Sequence, residues 1–199
     1  MNEDLLKLIL PFYAKSLRID EEKKHLRFEI RHLKDSLSLE EKEKEAEIVF
    51  AKIESMDEFK SAKTILIYWS TGDELPTQSF IQKWSNEKIL VLPAIKGDNL
   101  KLKVYGQNVK MVQHALGIYE PDLPETYTGK VDLAIVPGVA FDLKKNRLGR
   151  GKGFYDRYFR RNKTLKIGVG FDLQLLDSVP ARRFDKIMDK IITPSHIVE

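Results

Sequence analysis

The 199-residue chain contains no cysteine. That absence excludes disulfides, thiolate metal ligands and cysteine nucleophiles. Histidine is scarce too. The four that occur, at positions 25, 32, 114 and 196, form no H-E-x-x-H or comparable ligand set, which argues against a structural zinc site. No apolar run approaches the length needed to span a bilayer. The nearest candidate, residues 5–13 (LLKLILPFY), follows Glu3 and Asp4 and precedes no small-residue cleavage site, so it does not read as a signal peptide. The expectation is a cytoplasmic protein with no membrane partner. Neither sign of charge dominates: 34 basic residues stand against 30 acidic ones, a net of +4. Such a balance does not demand nucleic acid and is compatible with small anionic substrates. What is present, 42% hydrophobic and 32% charged residues, is the composition of an ordinary soluble globule with length enough for one buried core.

Periodicity divides the chain near residue 64. Before it, residues 2–18 carry an amphipathic helical pattern with Pro11 as a candidate interruption. Residues 20–36 read as a highly charged helix with Leu26, Ile30 and Leu33 on one side. Ser38 followed by Glu41 is a capping-box pattern that opens a helix through Ile48, Phe50 and Ile53. Its Glu and Lys run suits a solvated face with i,i+4 pairing. After residue 64, short runs rich in β-branched residues predict buried strands at 64–70, 88–95, 131–136 and 166–171. A half-exposed strand is expected at 100–105 and a last edge strand at 190–193. Thr77 is placed to cap a short helix over Phe80, Ile81 and Trp84. Strands alternating with helices predict an α/β fold: a single three-layer α/β/α domain around a mostly parallel, Rossmann-like sheet, with N-terminal helices added.

The most informative stretch is Arg147-Leu148-Gly149-Arg150-Gly151-Lys152-Gly153-Phe154-Tyr155-Asp156-Arg157. Glycines bring backbone N–H groups close to a ligand. The start of the following helix adds free N–H groups and partial positive charge, and Arg147, Arg150 and Lys152 add full charges. An isolated basic turn of this kind is often only a solvated loop. Here it follows the apolar run at 131–136, and strand, glycine turn, helix is how α/β proteins seat phosphates beyond the carboxyl ends of strands. The loop therefore reads as a polyphosphate seat, with Asp156 placed to reach a magnesium ion. It is neither of the common nucleotide motifs, since Gly153 and Phe154 follow Lys152 and the spacing is G-x-G-x-G. Two acidic turns, residues 72–77 (GDELPT) and 117–121 (GIYEP), read either as solvated turns or as further rim of the same pocket. Asp185 and Asp189, four apart, are spaced to share a helical face beside a metal, or to pair with Arg182, Arg183 or Lys186. Phe154, Tyr155, Tyr158 and Phe159 are spaced to pack a helix on the sheet, with Tyr155 within reach of a ligand.

Residues 136–156 (VPGVAFDLKKNRLGRGKGFYD) closely resemble the signature of the 5-formyltetrahydrofolate cyclo-ligase family. Lys23-Lys24-His25-Leu26-Arg27 resembles the family's K-x-x-L-R element, residues 73–77 its D-E-[IL]-x-T turn, residues 117–121 its G-I-x-E-P segment, and the stretch from Phe184-Asp185 to Asp189 its closing H-D-x-x-[VL]-D pattern. The likeness spans about residues 20–195. It implies an enzyme that uses Mg2+ and ATP to convert 5-formyltetrahydrofolate into 5,10-methenyltetrahydrofolate, ADP and phosphate. It further implies small-molecule partners only, without nucleic acid, and a monomer or weak homodimer. The domain reading is a helical extension at 1–20 and the catalytic α/β domain at 21–199.

By position, the resemblance assigns Lys23, Lys24, Arg27, Arg147, Leu148, Gly149, Arg150, Gly151, Lys152, Gly153, Phe154 and Tyr155 to ATP. Arg150 and Lys152 would stabilise charge on the transferring phosphoryl group. Trp69, Glu74, Glu120 and Tyr155 would meet the folate, and Asp156 and Asp185 the magnesium ion. Three departures stand out: the first 20 residues are extra, Phe154 replaces a common tyrosine, and Phe184 replaces a usual histidine. Two rival readings are a folate or nucleotide binder without turnover and an RNA-binding module. Intact Glu74, Lys152 and Asp156 argue against the first, and the lack of a recognised RNA motif against the second.

Overall fold

The computed structural model describes the backbone of residues 3–113 and 117–199, and side chains from Lys15 onward except at 114–116. Met1 and Asn2 of the expected extension lie outside the described residues. Helix α1 (Glu3–Asp35) is one unbroken run of 33 residues, so Pro11 does not divide it, and it continues across the expected boundary near residue 20. A proline removes one helical hydrogen bond; the Leu, Lys, Glu and Arg formers on both sides carry the helix past that loss. Its buried face also differs from the expected one. Lys23, Ile30 and Lys34 are buried and Leu26 and Arg27 half-buried, whereas Leu33 is 51% exposed. Positions 23, 27, 30 and 34 recur at helical spacing and form one stripe, and Leu33 falls off it.

The capping box forms as expected at the head of α2 (Leu39–Ser55). The Glu41 N–H donates to Ser38 Oγ at 3.2 Å and the Ser38 N–H to Glu41 Oε2 at 2.8 Å. A short α3 (Asp57–Ser61) leads into β1 (Thr64–Leu66), the regular part of the expected 64–70 strand. Next come α4 (Gln78–Trp84), β2 (Ile89–Lys96) and β3 (Asn99–Val104). Thr77 sits at the N-cap of α4, but its hydroxyl turns away and donates to Tyr68 O at 2.8 Å. A small hairpin of β4 (Met111–Gln113) and β5 (Tyr119–Pro121) follows, then β6 (Leu133–Pro137), β7 (Ala140–Asp142) and β8 (Arg147–Leu148). The chain closes with α5 (Phe154–Arg161), β9 (Leu165–Val169), β10 (Leu175–Leu176), β11 (Lys190–Ile192) and β12 (Ile197–Val198).

Seven strands form the central sheet in the order β12-β11-β9-β6-β1-β2-β3. The five inner strands run parallel, while β3 and β12 pair antiparallel at the two edges. Strand β11, expected as an edge, is therefore covered. Two small sheets, β10-β7-β8 and β4-β5, were not foreseen. Strand alternation sends side chains to two faces. Ile65, Leu90, Leu92, Leu133, Ile135 and Ile167 meet α2, α3 and α4 on one face. Leu66, Val91, Ala134, Val136 and Ile191 meet α5 on the other. Burying each of the Val, Leu and Ile side chains contributes about 1.5–3 kcal/mol, and the result is the expected three-layer α/β/α arrangement. Helix α1 lies apart from both layers; its Ile30 packs on Val139, Ala140, Leu148 and Val179. Among the described residues no helix is long and apolar enough to cross a membrane.

Candidate active site

Strand order reverses at β1. The chain proceeds from β1 to β2 on one side and later returns to place β6 on the other. Loops leaving the carboxyl ends of β1 and β6 diverge there, which is where open α/β sheets form ligand crevices. A cavity of about 380 Å³ occupies this place. Tyr68, Trp69, Thr71 and Glu74 reach it from the loop after β1, and Pro137, Gly138 and the whole 147–156 segment from beyond β6. Lys23 and Arg27 reach it from α1, and Asp185 from the segment before β11. A helix, two loops and a C-terminal segment thus converge on one hollow.

The glycine segment is built for close backbone approach. Gly151 and Gly153 have φ of 95° and 66°, a region in which a side chain would be strained. Gly153 is also the N-cap of α5 and offers no capping side chain, so the first N–H groups of α5 remain available to an anion. Arg27 Nε donates to Gly149 O at 2.8 Å, tying α1 to this loop. Burial lowers the Arg27 pKa, and Asp20 and Asp185 oppose that effect. Lys152 is exposed and, among the described residues, makes no salt bridge. Arg147 is different: its side chain is only 5% exposed. It donates to Pro137 O at 3.2 Å, faces Asp156 at 3.4 Å and covers the Tyr155 ring at 5.3 Å. It braces the loop from beneath.

Tyr155 presents an unspent group. Its hydroxyl is buried with no hydrogen-bond partner among the described residues. Burial pushes its pKa well up, Glu74 pushes it further and Arg147 opposes, so the group remains a protonated donor. Trp69, which also lines the cavity, packs against Tyr105 with ring centroids 5.7 Å apart. Glu74 Oε2 accepts the Thr71 N–H and hydroxyl, each at 3.0 Å. Glu74 Oε1 lies 3.1 Å from Arg150 Nη2, so the cationic and acidic walls touch.

Asp156 and Asp185 both line the cavity. Asp156 Oδ1 accepts the Lys186 N–H at 2.9 Å; Asp185 Oδ2 accepts the Arg182 N–H at 2.7 Å and pairs with Lys23. Among the described residues no cluster of three or more ligating side chains exists. Those residues therefore form no all-protein metal cage, but two hard carboxylates are the kind of donor that magnesium takes when an anionic ligand and water complete its shell. Asp185 and Asp189 do not share a helix face. The segment is a turn, because Asp189 is held instead by the Lys166 N–H at 2.7 Å and its Nζ at 2.6 Å.

Two expected residues fall elsewhere. Lys24 is exposed and turned away from the cavity that its neighbour Lys23 lines. Glu120 does not line it either: Oε2 accepts the Ile95 N–H at 3.0 Å and Oε1 faces Lys103 at 3.6 Å, fastening β5 to β2 and β3. One contact behind the cavity residues was not foreseen. Buried Lys34 donates to the Asp73 carbonyl at 2.6 Å and reaches its carboxylate at 3.0 Å. Burial alone would raise the Asp73 carboxyl, but Lys34 and Arg150 beside it hold it at about 2. The signal for Lys34 was its place on the Lys23–Arg27–Ile30 stripe.

The model of the 5-formyltetrahydrofolate cyclo-ligase family matches residues 19–194. A probable 5-formyltetrahydrofolate cyclo-ligase of Caenorhabditis elegans is 31% identical over 87% of this chain and 93% of its own. The 5-formyltetrahydrofolate cyclo-ligase of Escherichia coli K12 is 33% identical over 69% of this chain and 81% of its own. Among solved structures, the 5,10-methenyltetrahydrofolate synthetase of Aquifex aeolicus aligns with a TM-score of 0.79 at 34% identity, covering 88% of this chain and 91% of that one.

Proposed function

Because the chain belongs to the 5-formyltetrahydrofolate cyclo-ligase family, we propose that the cavity binds Mg·ATP and 5-formyltetrahydrofolate together and joins N10 to the formyl carbon. The observation that carries this reading is the meeting of two chemistries in one hollow. A cationic glycine loop fits a triphosphate, and Glu74 with Trp69 fits a pterin, whose N–H edge suits a carboxylate and whose ring suits an aromatic wall.

A formamide oxygen is a poor leaving group, so it is first phosphorylated. The formyl oxygen attacks the γ-phosphorus, the bond to ADP breaks, and an N5-iminium phosphate forms. N10 then attacks the activated carbon, the ring closes, phosphate leaves and the N10 proton is lost. No protein nucleophile is needed. Catalysis is positioning and charge neutralisation. Lys152 and Arg150 are the cations for the transferring group, and the loop N–H groups with Arg27 and Lys23 hold the remaining phosphates. Asp156 and Asp185 would hold the magnesium ion, which when bound neutralises phosphate charge. The Tyr155 hydroxyl donates to the formyl oxygen and fixes its approach. From Glu3 the N-terminal residues extend α1 ahead of its cavity-facing part, and the protein works on small molecules in the cytoplasm as a monomer or weak homodimer. Incubation with 5-formyltetrahydrofolate and Mg·ATP should produce the methenyl chromophore with one phosphate released per turnover. Tight binding of both substrates without that product would refute the reaction.

A further inference from the structure

Resting on that reading, we infer that Thr71 and Asp73 are positioning residues that make nucleotide and folate binding mutually reinforcing. Arg150 Nη2 donates to Asp73 Oδ1 at 2.5 Å and to Thr71 Oγ1 at 2.7 Å, and lies 3.1 Å from Glu74 Oε1. The Thr71 hydroxyl also sits 2.8 Å from Asp73 Oδ1 and 3.0 Å from Glu74 Oε2. Both Glu74 oxygens are therefore engaged from within, and Arg150, a residue of the phosphate loop, faces the acidic turn.

The nucleotide needs Arg150 and the pterin needs Glu74, yet each residue holds the other. A phosphate that draws Arg150 across the cavity frees Glu74 Oε1. A pterin that takes Glu74 Oε1 loosens Arg150. Whichever ligand arrives first breaks the contact, and the second binds without that cost. Linkage makes the effect equal in both directions. The acidic turn stays in place meanwhile, because Lys34, with a side chain 3% exposed, is anchored to the Asp73 carboxylate and carbonyl. Breaking that pair would leave a buried ammonium uncompensated, so Arg150 is the partner that moves.

The test is calorimetric titration of 5-formyltetrahydrofolate into the protein with and without magnesium and a non-hydrolysable ATP analogue, in wild type, Thr71→Val and Asp73→Asn. The analogue should tighten folate binding about tenfold in wild type and less than about threefold in both variants. Nucleotide-free Thr71→Val should bind folate more tightly than wild type. Thr71→Val keeps the side-chain shape and the Lys34–Asp73 pair, so the test stands even if Asp73→Asn does not fold. Equal coupling in wild type and Thr71→Val overturns the inference, as does independent binding of the two ligands in wild type. Failure of wild type to bind either ligand would overturn the cyclo-ligase reading as well, which separates the two failures.

Discussion

Replacing Tyr155 with phenylalanine should stabilise the free protein while slowing the reaction. The Tyr155 hydroxyl is buried and, among the described residues, has nothing to bond with. An unsatisfied buried donor costs about 1–3 kcal/mol. Tyr155→Phe removes that donor and keeps the ring, with its contacts to Arg147 at 5.3 Å and Phe159 at 5.9 Å. The expected gain is at the lower end, about 1 kcal/mol, because the cavity wall can relax around the hydroxyl. For a chain of this length that raises Tm by about 2–4 °C. A donor to the formyl oxygen is worth about 0.5–1.5 kcal/mol as a neutral hydrogen bond, so kcat/KM should fall about three- to tenfold. Thermal unfolding of the ligand-free protein measures the first effect, and the initial rate of methenyl absorbance measures the second. A lower Tm with unchanged turnover would mean that the hydroxyl has a partner in the free protein and none in the substrate, and the reasoning would fail on both counts.

Lys152→Ala should lower turnover by about 100-fold or more, since a cation aimed at the transferring phosphoryl group acts in the transition state; near-normal single-turnover rates would remove Lys152 from that role. Glu74→Gln should weaken folate binding more than nucleotide binding in equilibrium titrations, and equal losses would count against a pterin contact. Ser38→Ala, which strips the Ser38 Oγ acceptor from the capping box at α2, should cost about 1 kcal/mol in urea unfolding and leave kcat unchanged, because the cap lies away from the cavity residues. The Asp73 carboxyl, at about 2 in the folded protein, titrates below its unfolded value of about 3.9. Its contribution is therefore full above pH about 4 and lost as pH falls towards 2. With 36% of the side chain exposed, screening limits this to about 1 kcal/mol. The stability gap between wild type and Asp73→Asn should narrow by most of that amount from pH 5 to pH 2.5, and a constant gap would contradict the assignment.

The strands were legible because their signal is local. In residues 64–67 and 131–136 the apolar run, the β-branching and the following turn all lie within a few positions. The capping box was legible for the same reason, since Ser38 and Glu41 are three residues apart. The glycine turn between a strand and a helix was legible too, because β6, the loop and α5 follow one another within about 30 residues. Local signals also misled. Pro11 reads as a break but one lost hydrogen bond did not end a 33-residue helix. Asp185 and Asp189 have helical spacing, but each carboxylate found a stronger partner on a distant segment. The adjacent lysines 23 and 24 are equivalent by type, and only the packing of α1 through Ile30 sends the first into the cavity and the second into solvent.

Local chain chemistry was sufficient for the layers, the position of the glycine turn between strand and helix and, with the family resemblance, the reaction class. The wiring of the cavity was not within its reach. Lys34 and Asp73 are 39 positions apart, Asp73 and Arg150 77, and Lys23 and Asp185 162. Interactions within about four residues are dictated by backbone geometry that the chain carries everywhere. Contacts across such separations exist only after strand order brings the carboxyl ends of β1 and β6 together and α1 is laid across them, so the choice of partner for each charge belongs to the folded molecule.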